Sequence, residues 1–172
     1  MKAMVISDIH GDVKHLENAI ERYKEEKASK LFILGDFAGY FSSINDEEVA
    51  NMLLPYAKEI SAVRGNCDNE HIEQILPFGL LDIRHINLNG KIVTITHGHL
   101  YNKYNLPEYC GDIFLSGHTH YGIISKEHNK IFANPGSISK PRNGSEHTYL
   151  LIDETHIYLK NLEGQIIEQE EI

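Results

Sequence analysis

Between Ala3 and Asn66 the chain alternates short apolar runs with helical stripes. Ala3-Met4-Val5-Ile6 is followed by Asp12 as an N-cap, then by Leu16, Ala19, Ile20 and Tyr23 at i, i+3, i+4, i+7, one buried helix face. Leu31-Phe32-Ile33-Leu34 is a second apolar run, ending at Gly35-Asp36. Asn45 with Glu48 resembles a capping box ahead of a stripe of Val49, Met52, Leu53, Tyr56 and Ile60. Residues 60–63 form a third run, ending at Arg64-Gly65-Asn66. Strand–helix–strand–helix–strand predicts βαβ units and a parallel sheet with right-handed crossovers.

After this the pattern turns β-rich. Asn89-Gly90 separates residues 83–88 from 92–96, a two-residue hairpin signal. Residues 113–116, 122–125 and 131–133 read as short strands, and 148–170 as three more with breaks near Asp153 and Gly164. The acidic stretch from Glu168 to Glu171 reads as a solvated tail. No linker, repeat or composition break divides the chain, so residues 1–172 are expected to form a single domain.

Composition limits the function. With 41% hydrophobic and 24% charged residues the chain can bury a core. No apolar run approaches the ~18 residues that span a bilayer, and the first residues enter a strand pattern, not a signal peptide. Two cysteines, Cys67 and Cys110, make no disulfide scaffold, so a reduced, cytoplasmic protein is expected. Sixteen Lys and Arg against 25 Asp and Glu leave a net charge of −9, which argues against long duplex nucleic acid and anionic membranes as partners. Eleven histidines are the feature that composition leaves unexplained.

Several of those histidines stand where strands end. Asp8 and His10 follow the first run at i, i+2; Asp36 follows the second and Asn66 the third. His97 follows residues 92–96, and His118 and His120, again i, i+2, follow residues 113–116. Ligands of open α/β sheets bind at strand carboxyl ends, so these side chains are expected to converge. Taken singly each motif is unremarkable: Asp-x-His is ordinarily a cap and a surface histidine, Gly-Asp and Gly-Asn-Cys-Asp are ordinarily turns. Their joint occurrence at successive strand ends is not. Two carboxylates, four imidazoles and one amide oxygen suit Mn, Fe, Zn or Ni better than Ca or Mg, and seven ligands suit two ions about 3.5–4 Å apart. Such a pair acidifies water and neutralises phosphoryl oxygens, so attack on phosphorus is its natural use.

Asp8-x-His10, Gly35-Asp36, Gly65-Asn66, His97-Gly98 and Gly117-His118-Thr119-His120 resemble the five blocks of the calcineurin-like metallophosphoesterases, and length and spacing resemble the small YfcE-like branch, including Asn134-Pro135-Gly136-Ser137. The resemblance implies an α/β fold, a four-layer αββα sandwich of two mixed β-sheets flanked by helices. It implies that Asp8, His10 and His120 hold one ion, that Asp36 bridges, and that Asn66, His97 and His118 hold the other, Mn being foremost. The implied activity is hydrolysis of small phosphodiesters through a metal-bridging hydroxide. A phosphomonoesterase or nucleotidase of the same fold is the alternative, and a non-catalytic scaffold similar to the retromer subunit is the alternative from another class. Homo-oligomerisation is left open.

Two departures from the family pattern matter. Many members carry His after the motif Asn, as the proton donor to the leaving oxygen aided by the next acid; here Cys67 stands there, followed by Asp68. His99 is an extra histidine, read either as a surface residue or as a proton donor or phosphate contact. With Cys67 and His99 as the candidate catalytic groups, activated aryl diesters are expected to be the better substrates. The segment from Gly35 to Tyr40 also lacks a second carboxylate that would support Asp36. His15, His71, His85, His128, His147 and His156 are expected to be solvated or edge residues.

Overall fold

A computed structural model describes residues 1–39 and 44–172. Its elements are β1 (Ala3–Ile6), α1 (Val13–Glu25), β2 (Lys30–Ile33), α2 (Asp46–Leu53), β3 (Ile60–Ala62), α3 (Glu70–Ile75), β4 (Ile83–Leu88), β5 (Lys91–Thr96), β6 (Ile113–Ser116), β7 (Gly122–Glu127), β8 (Lys130–Pro135), β9 (Thr148–Ile152), β10 (His156–Asn161) and β11 (Ile166–Glu171). The first sheet runs β11-β10-β9-β1-β2-β3 and the second β4-β5-β6-β8-β7. β1, β2 and β3 pair in parallel, as the βαβ spacing predicts, and β9 and β10 extend that sheet antiparallel. In the second sheet β5, β6 and β8 are parallel, with β4 and β7 antiparallel at its edges. Both sheets are therefore mixed.

Period-two burial explains the layering. Ala3 and Val5 of β1, with Phe32, Leu150 and Ile157, face Val93, Ile95, Ile113, Leu115 and Ile131 of the other sheet. Met4, Ile6, Leu31 and Ile33 face the opposite way, against Leu16 and Ile20 of α1, Val49 and Leu53 of α2, and Ile72 of α3. β1 is thus buried on both faces, as a central parallel strand must be. The result is the expected sandwich of two mixed sheets with helices outside. Among the described residues the helices lie with the six-stranded sheet, and the loop from Gly98 to Tyr104 borders the outer face of the five-stranded one beside Phe114 and Phe132.

Local expectations are corrected in four places. Asp12 caps α1 by accepting the His15 N–H at 3.0 Å, but Asn45 makes no capping bond: its Nδ2 donates to the Gly11 carbonyl at 2.8 Å instead, tying α2 to the turn after β1. The second helical stripe stops at Leu53, where a 3-10 turn over Leu54–Tyr56 carries Pro55, and Ile60 belongs to β3. The acidic stretch from Glu168 to Glu171 is not a tail but part of edge strand β11, where Glu168 accepts the Ile124 N–H at 3.1 Å. His15 and His147 are half-buried, not solvated; their rings stack 4.1 Å apart.

Candidate metal centre

Parallel pairing puts the carboxyl ends of β1, β2 and β3 at one end of their sheet, and those of β5 and β6 at one end of theirs. The two ends meet. His97 Nε2, after β5, lies 3.0 Å from Asn66 Oδ1 and 3.4 Å from Asp36 Oδ2. His120 Nε2, after β6, lies 3.1 Å from Asp8 Oδ1 and 3.2 Å from His10 Nε2. Asp36 Oδ2 stands between the groups, 3.6 Å from His10 Nε2 as well. His118 completes the cluster: its ring lies 5.1 Å from that of His97, and its N–H donates to Asp8 Oδ2 at 3.1 Å. All seven strand-end residues are brought together.

The backbone bends sharply to aim them. Asp8, His10, Asp36, His118 and His120 all adopt the left-handed region, with φ of 56°, 48°, 56°, 69° and 59°. Such conformations cost of order 1–3 kcal/mol each in non-glycine residues and persist only where the surroundings enforce them. Close approach supplies the enforcement. A Cβ on Gly65 would stand 2.1 Å from Asp36 Oδ1, and one on Gly117 would stand 2.0 Å from Ser7 Oγ, so neither position admits a side chain.

Tautomers expose what the cluster lacks. His97 Nδ1 faces the Leu34 carbonyl at 2.6 Å and His120 Nδ1 faces the Lys140 carbonyl at 2.7 Å. Each Nδ1 therefore carries the proton, and in a neutral ring each Nε2 is a bare lone pair. The His97 lone pair points at oxygens of Asn66 and Asp36 and the His120 lone pair at Asp8 and His10 Nε2, while Asp8 Oδ1, sealed from solvent, accepts no hydrogen bond among the described residues. A convergence of carboxylates and imidazole nitrogens with few donors among them suits cations. Burial pulls the His97 imidazole down, yet Asp36 more than offsets it and lifts the group above its ordinary range. Burial opposes the charge on Asp8 too, but His10 and His120 hold its carboxyl well below the usual range. Ligand atoms of Asp8, His10 and His120 lie within 4.8 Å of one another, as do those of Asp8, Asp36 and His97 and those of His10, Asp36 and Cys67. The residues present fit a metal site.

The structure separates the two candidate proton donors. The Cys67 N–H donates to Asp36 Oδ1 at 2.8 Å, and burial with the Asp36 charge pushes its thiol up to about 12. His99 lies at the rim, its ring 5.3 Å from that of His97. Burial and the neighbouring His97 and His118 push its imidazole down, and its Nδ1 is buried without a partner among the described residues. An apolar cavity of about 310 Å³, lined by Phe114, Phe132 and Ile123, shares Gly98 and His118 with the centre.

Supporting residues went unread in the sequence. Asp68, two residues after Asn66, does not face Cys67 as an assisting acid; its carboxylate accepts the N–H groups of Asp36, Phe37, Ala38 and Gly65. It is the carboxylate whose absence from residues 35–40 left the support of Asp36 unexplained; Tyr40 of that segment lies outside the described residues. Ser137 and Ser139 both donate to the Asp8 carbonyl, at 2.9 and 2.7 Å, and Asn134 Nδ2 donates to the Gly117 carbonyl at 2.7 Å. The motif from Asn134 to Ser137 was the one available signal for these.

A family model of the calcineurin-like phosphoesterase superfamily domain matches residues 1–156. The chain belongs to that family. It is 32% identical over 175 residues to the phosphodiesterase YfcE of Escherichia coli, covering 97% of this chain and 95% of the relative. A probable metallophosphoesterase of Bacillus subtilis, YsnB, is 26% identical over 88% of this chain and 83% of its own. Among solved structures, YfcE, described as a phosphoesterase from E. coli, superposes with a TM-score of 0.91 at 30% identity, covering 99% of this chain and 98% of that one. A single mutant of Vps29 of Entamoeba histolytica superposes with a TM-score of 0.73 at 21% identity, covering 100% of this chain and 99% of that one, a likeness of fold alone.

Proposed function

We propose that this phosphoesterase-family chain, taken as a single domain, is a dinuclear metal-dependent phosphodiesterase acting on small phosphodiesters. The observation that carries the reading is the convergence of Asp8, His10, Asp36, Asn66, His97 and His120 at the strand ends. Asp8, His10 and His120 would hold one ion; Asn66, His97 and His118 the other; Asp36, with Oδ2 at 3.6 Å from His10 and 3.4 Å from His97, would serve both. Two Mn ions bound there would supply an acidified water and neutralise the phosphoryl oxygens. Asn66 offers a neutral oxygen, so it holds a cation without adding negative charge beside an anionic substrate. Cys67 keeps its thiol proton at neutral pH and is a weak acid, which leaves His99 or solvent to protonate the leaving oxygen. Aryl esters, whose leaving groups need no proton, are therefore favoured, and the apolar cavity beside His118 has room for an aromatic ring.

The name of YfcE supports a diesterase, and that of YsnB a phosphoesterase, over a scaffold. No helix among the described residues is long and apolar enough to cross a membrane. The test is hydrolysis of bis(4-nitrophenyl) phosphate by the Mn-loaded protein. Asp36→Ala and His118→Ala are expected to lower kcat/KM by about a thousandfold or more, roughly the 4 kcal/mol scale of lost charge stabilisation, and chelation is expected to abolish the activity. Equal rates in the chelated wild type would overturn the reading, and faster hydrolysis of 4-nitrophenyl phosphate would replace it with a monoesterase.

A further inference from the structure

The chain has four arginines, at positions 22, 64, 84 and 142. Three are tied down. Arg22 pairs with Glu25 and donates to the Leu162 carbonyl; Arg64 bridges Glu73 and Asp82; Arg84 donates to the carbonyls of Ala62 and Gly79. Arg142 is exposed, and its guanidinium has no partner among the described residues. Arg84, too, is in no ion pair, but its guanidinium is held by two carbonyls, which leaves Arg142 as the one arginine whose guanidinium is unheld among the described residues.

Its backbone, by contrast, is fixed. The Arg142 N–H donates to the carbonyl of His120 at 3.1 Å, and the Arg142 carbonyl accepts both the N–H and the Oγ of Ser145, at 3.0 and 2.7 Å. Asn143 and Gly144, with φ of 56° and 73°, close a tight turn between them, and Pro141 stiffens the approach. The same loop orients His120 from its ring side, through the Lys140 carbonyl on Nδ1. A tight turn therefore holds the Arg142 backbone one hydrogen bond from that of a candidate metal ligand. The Arg142 backbone is rooted on the carbonyl of His120, whose ring Nε2 faces Asp8, so the turn that carries Arg142 adjoins a candidate metal ligand.

We propose that Arg142 recognises a second anionic group of the substrate, a phosphate carried one unit beyond the scissile phosphorus. The inference rests on the reading above, in which the strand-end cluster takes the scissile phosphoryl group and its ions neutralise that group's oxygens. The planar guanidinium forks onto two phosphate oxygens, and the fixed turn limits the entropy lost on doing so. The substrate class is then a phosphodiester whose nucleoside or alcohol portion bears a further phosphate.

The test measures binding, separately from turnover. Isothermal calorimetry on the Mn-loaded protein compares thymidine 5′-monophosphate with thymidine 3′,5′-bisphosphate, which differ by the distal phosphate. The wild type is expected to bind the bisphosphate about fivefold to tenfold more tightly. Arg142→Gln is expected to bring that ratio close to one, and Arg142→Lys to retain part of it, because an ammonium supplies charge without the fork. A wild type without the preference, or an R142Q protein that keeps it, overturns the proposal. So does an R142Q protein that loses affinity for both ligands equally, since that puts the guanidinium on the scissile phosphate. The 4-nitrophenyl 5′-esters of the two nucleotides are assayed in parallel. If neither is hydrolysed while the Arg142-dependent preference persists, the diesterase reading fails and the recognition site stands.

Discussion

Asp68 satisfies four backbone donors with two oxygens: Oδ2 takes Asp36 and Gly65 at 2.9 and 2.7 Å, and Oδ1 takes Phe37 and Ala38 at 2.7 and 3.2 Å. Burial and the charge of Asp36 push its carboxyl above the usual range while these N–H groups pull it back. The clamp joins the turn after β2 to the turn after β3, and so holds Asp36 in its left-handed backbone, φ 56°. Asp68→Asn keeps the shape but aims an amide NH2 at two of the four donors. Each donor left unpaired costs about 1–3 kcal/mol. The expected result is a loss of about 2 kcal/mol or more in urea unfolding of the metal-free protein, with Mn affinity falling about 10–100-fold as Asp36 loses its support. Wild-type values in both measurements would refute the clamp. Nothing in the residue order discloses it, because an acid after Asn66 and Cys67 reads as a partner of Cys67 until the backbone of residues 36–38 folds over it.

At the scale of elements, helix α1 is held to its sheet by charge as well as by Leu16 and Ile20. Glu26, at its C-terminus, accepts from Tyr149 of β9 at 2.7 Å and pairs with Lys160 of β10. Burial raises the Glu26 carboxyl, but Lys160 and Tyr149 outweigh burial and leave it below its ordinary 4.5. The folded pKa is depressed, so the unfolded chain binds the proton more readily; the stabilisation is present above about pH 4.5 and is lost as the pH falls through the folded value. Urea unfolding between pH 6 and pH 3 should show the wild type losing more stability than Glu26→Gln, with equal losses counting against the link. These contacts were not legible in the sequence, although the elements they join were. Period-3.6 and period-2 patterns disclosed α1, the strands and the Asn89-Gly90 hairpin because burial on one face imposes them locally. The patterns misled where a distant partner decided the outcome. Gly11 takes the Asn45 side chain from its helix, and Ile124 and Lys126 of β7 recruit Glu168 and Glu170 into an edge strand.

For the whole molecule, the candidate centre is a seam. Asp8, Asp36 and Asn66 follow strands of the six-stranded sheet, and His97, His118 and His120 follow strands of the five-stranded one. The inter-sheet core of Val5, Phe32, Val93 and Leu115 holds the sheets together along their length, while at this end they meet through carboxylates and imidazoles. Convergence was inferable from strand-end positions, since parallel strands share one end; the pairing of the two sheets across it was not, because it depends on the inter-sheet core. Without a cation the sheets meet here through the His97 Nε2 contacts, 3.0 Å to Asn66 Oδ1 and 3.4 Å to Asp36 Oδ2. An ion that binds only the folded state adds RT ln(1 + [ion]/Kd), about 4 kcal/mol at a thousandfold excess over Kd. Saturating Mn should therefore raise the melting temperature by roughly 8–16 °C, at about 2–4 °C per kcal/mol for a chain of this size. Chelation should reverse the shift, and His97→Ala and Asp36→Ala should each lose most of it although they alter different sheets. A melting temperature indifferent to millimolar Mn, or a shift that survives either substitution, would mean that no ion joins the sheets here.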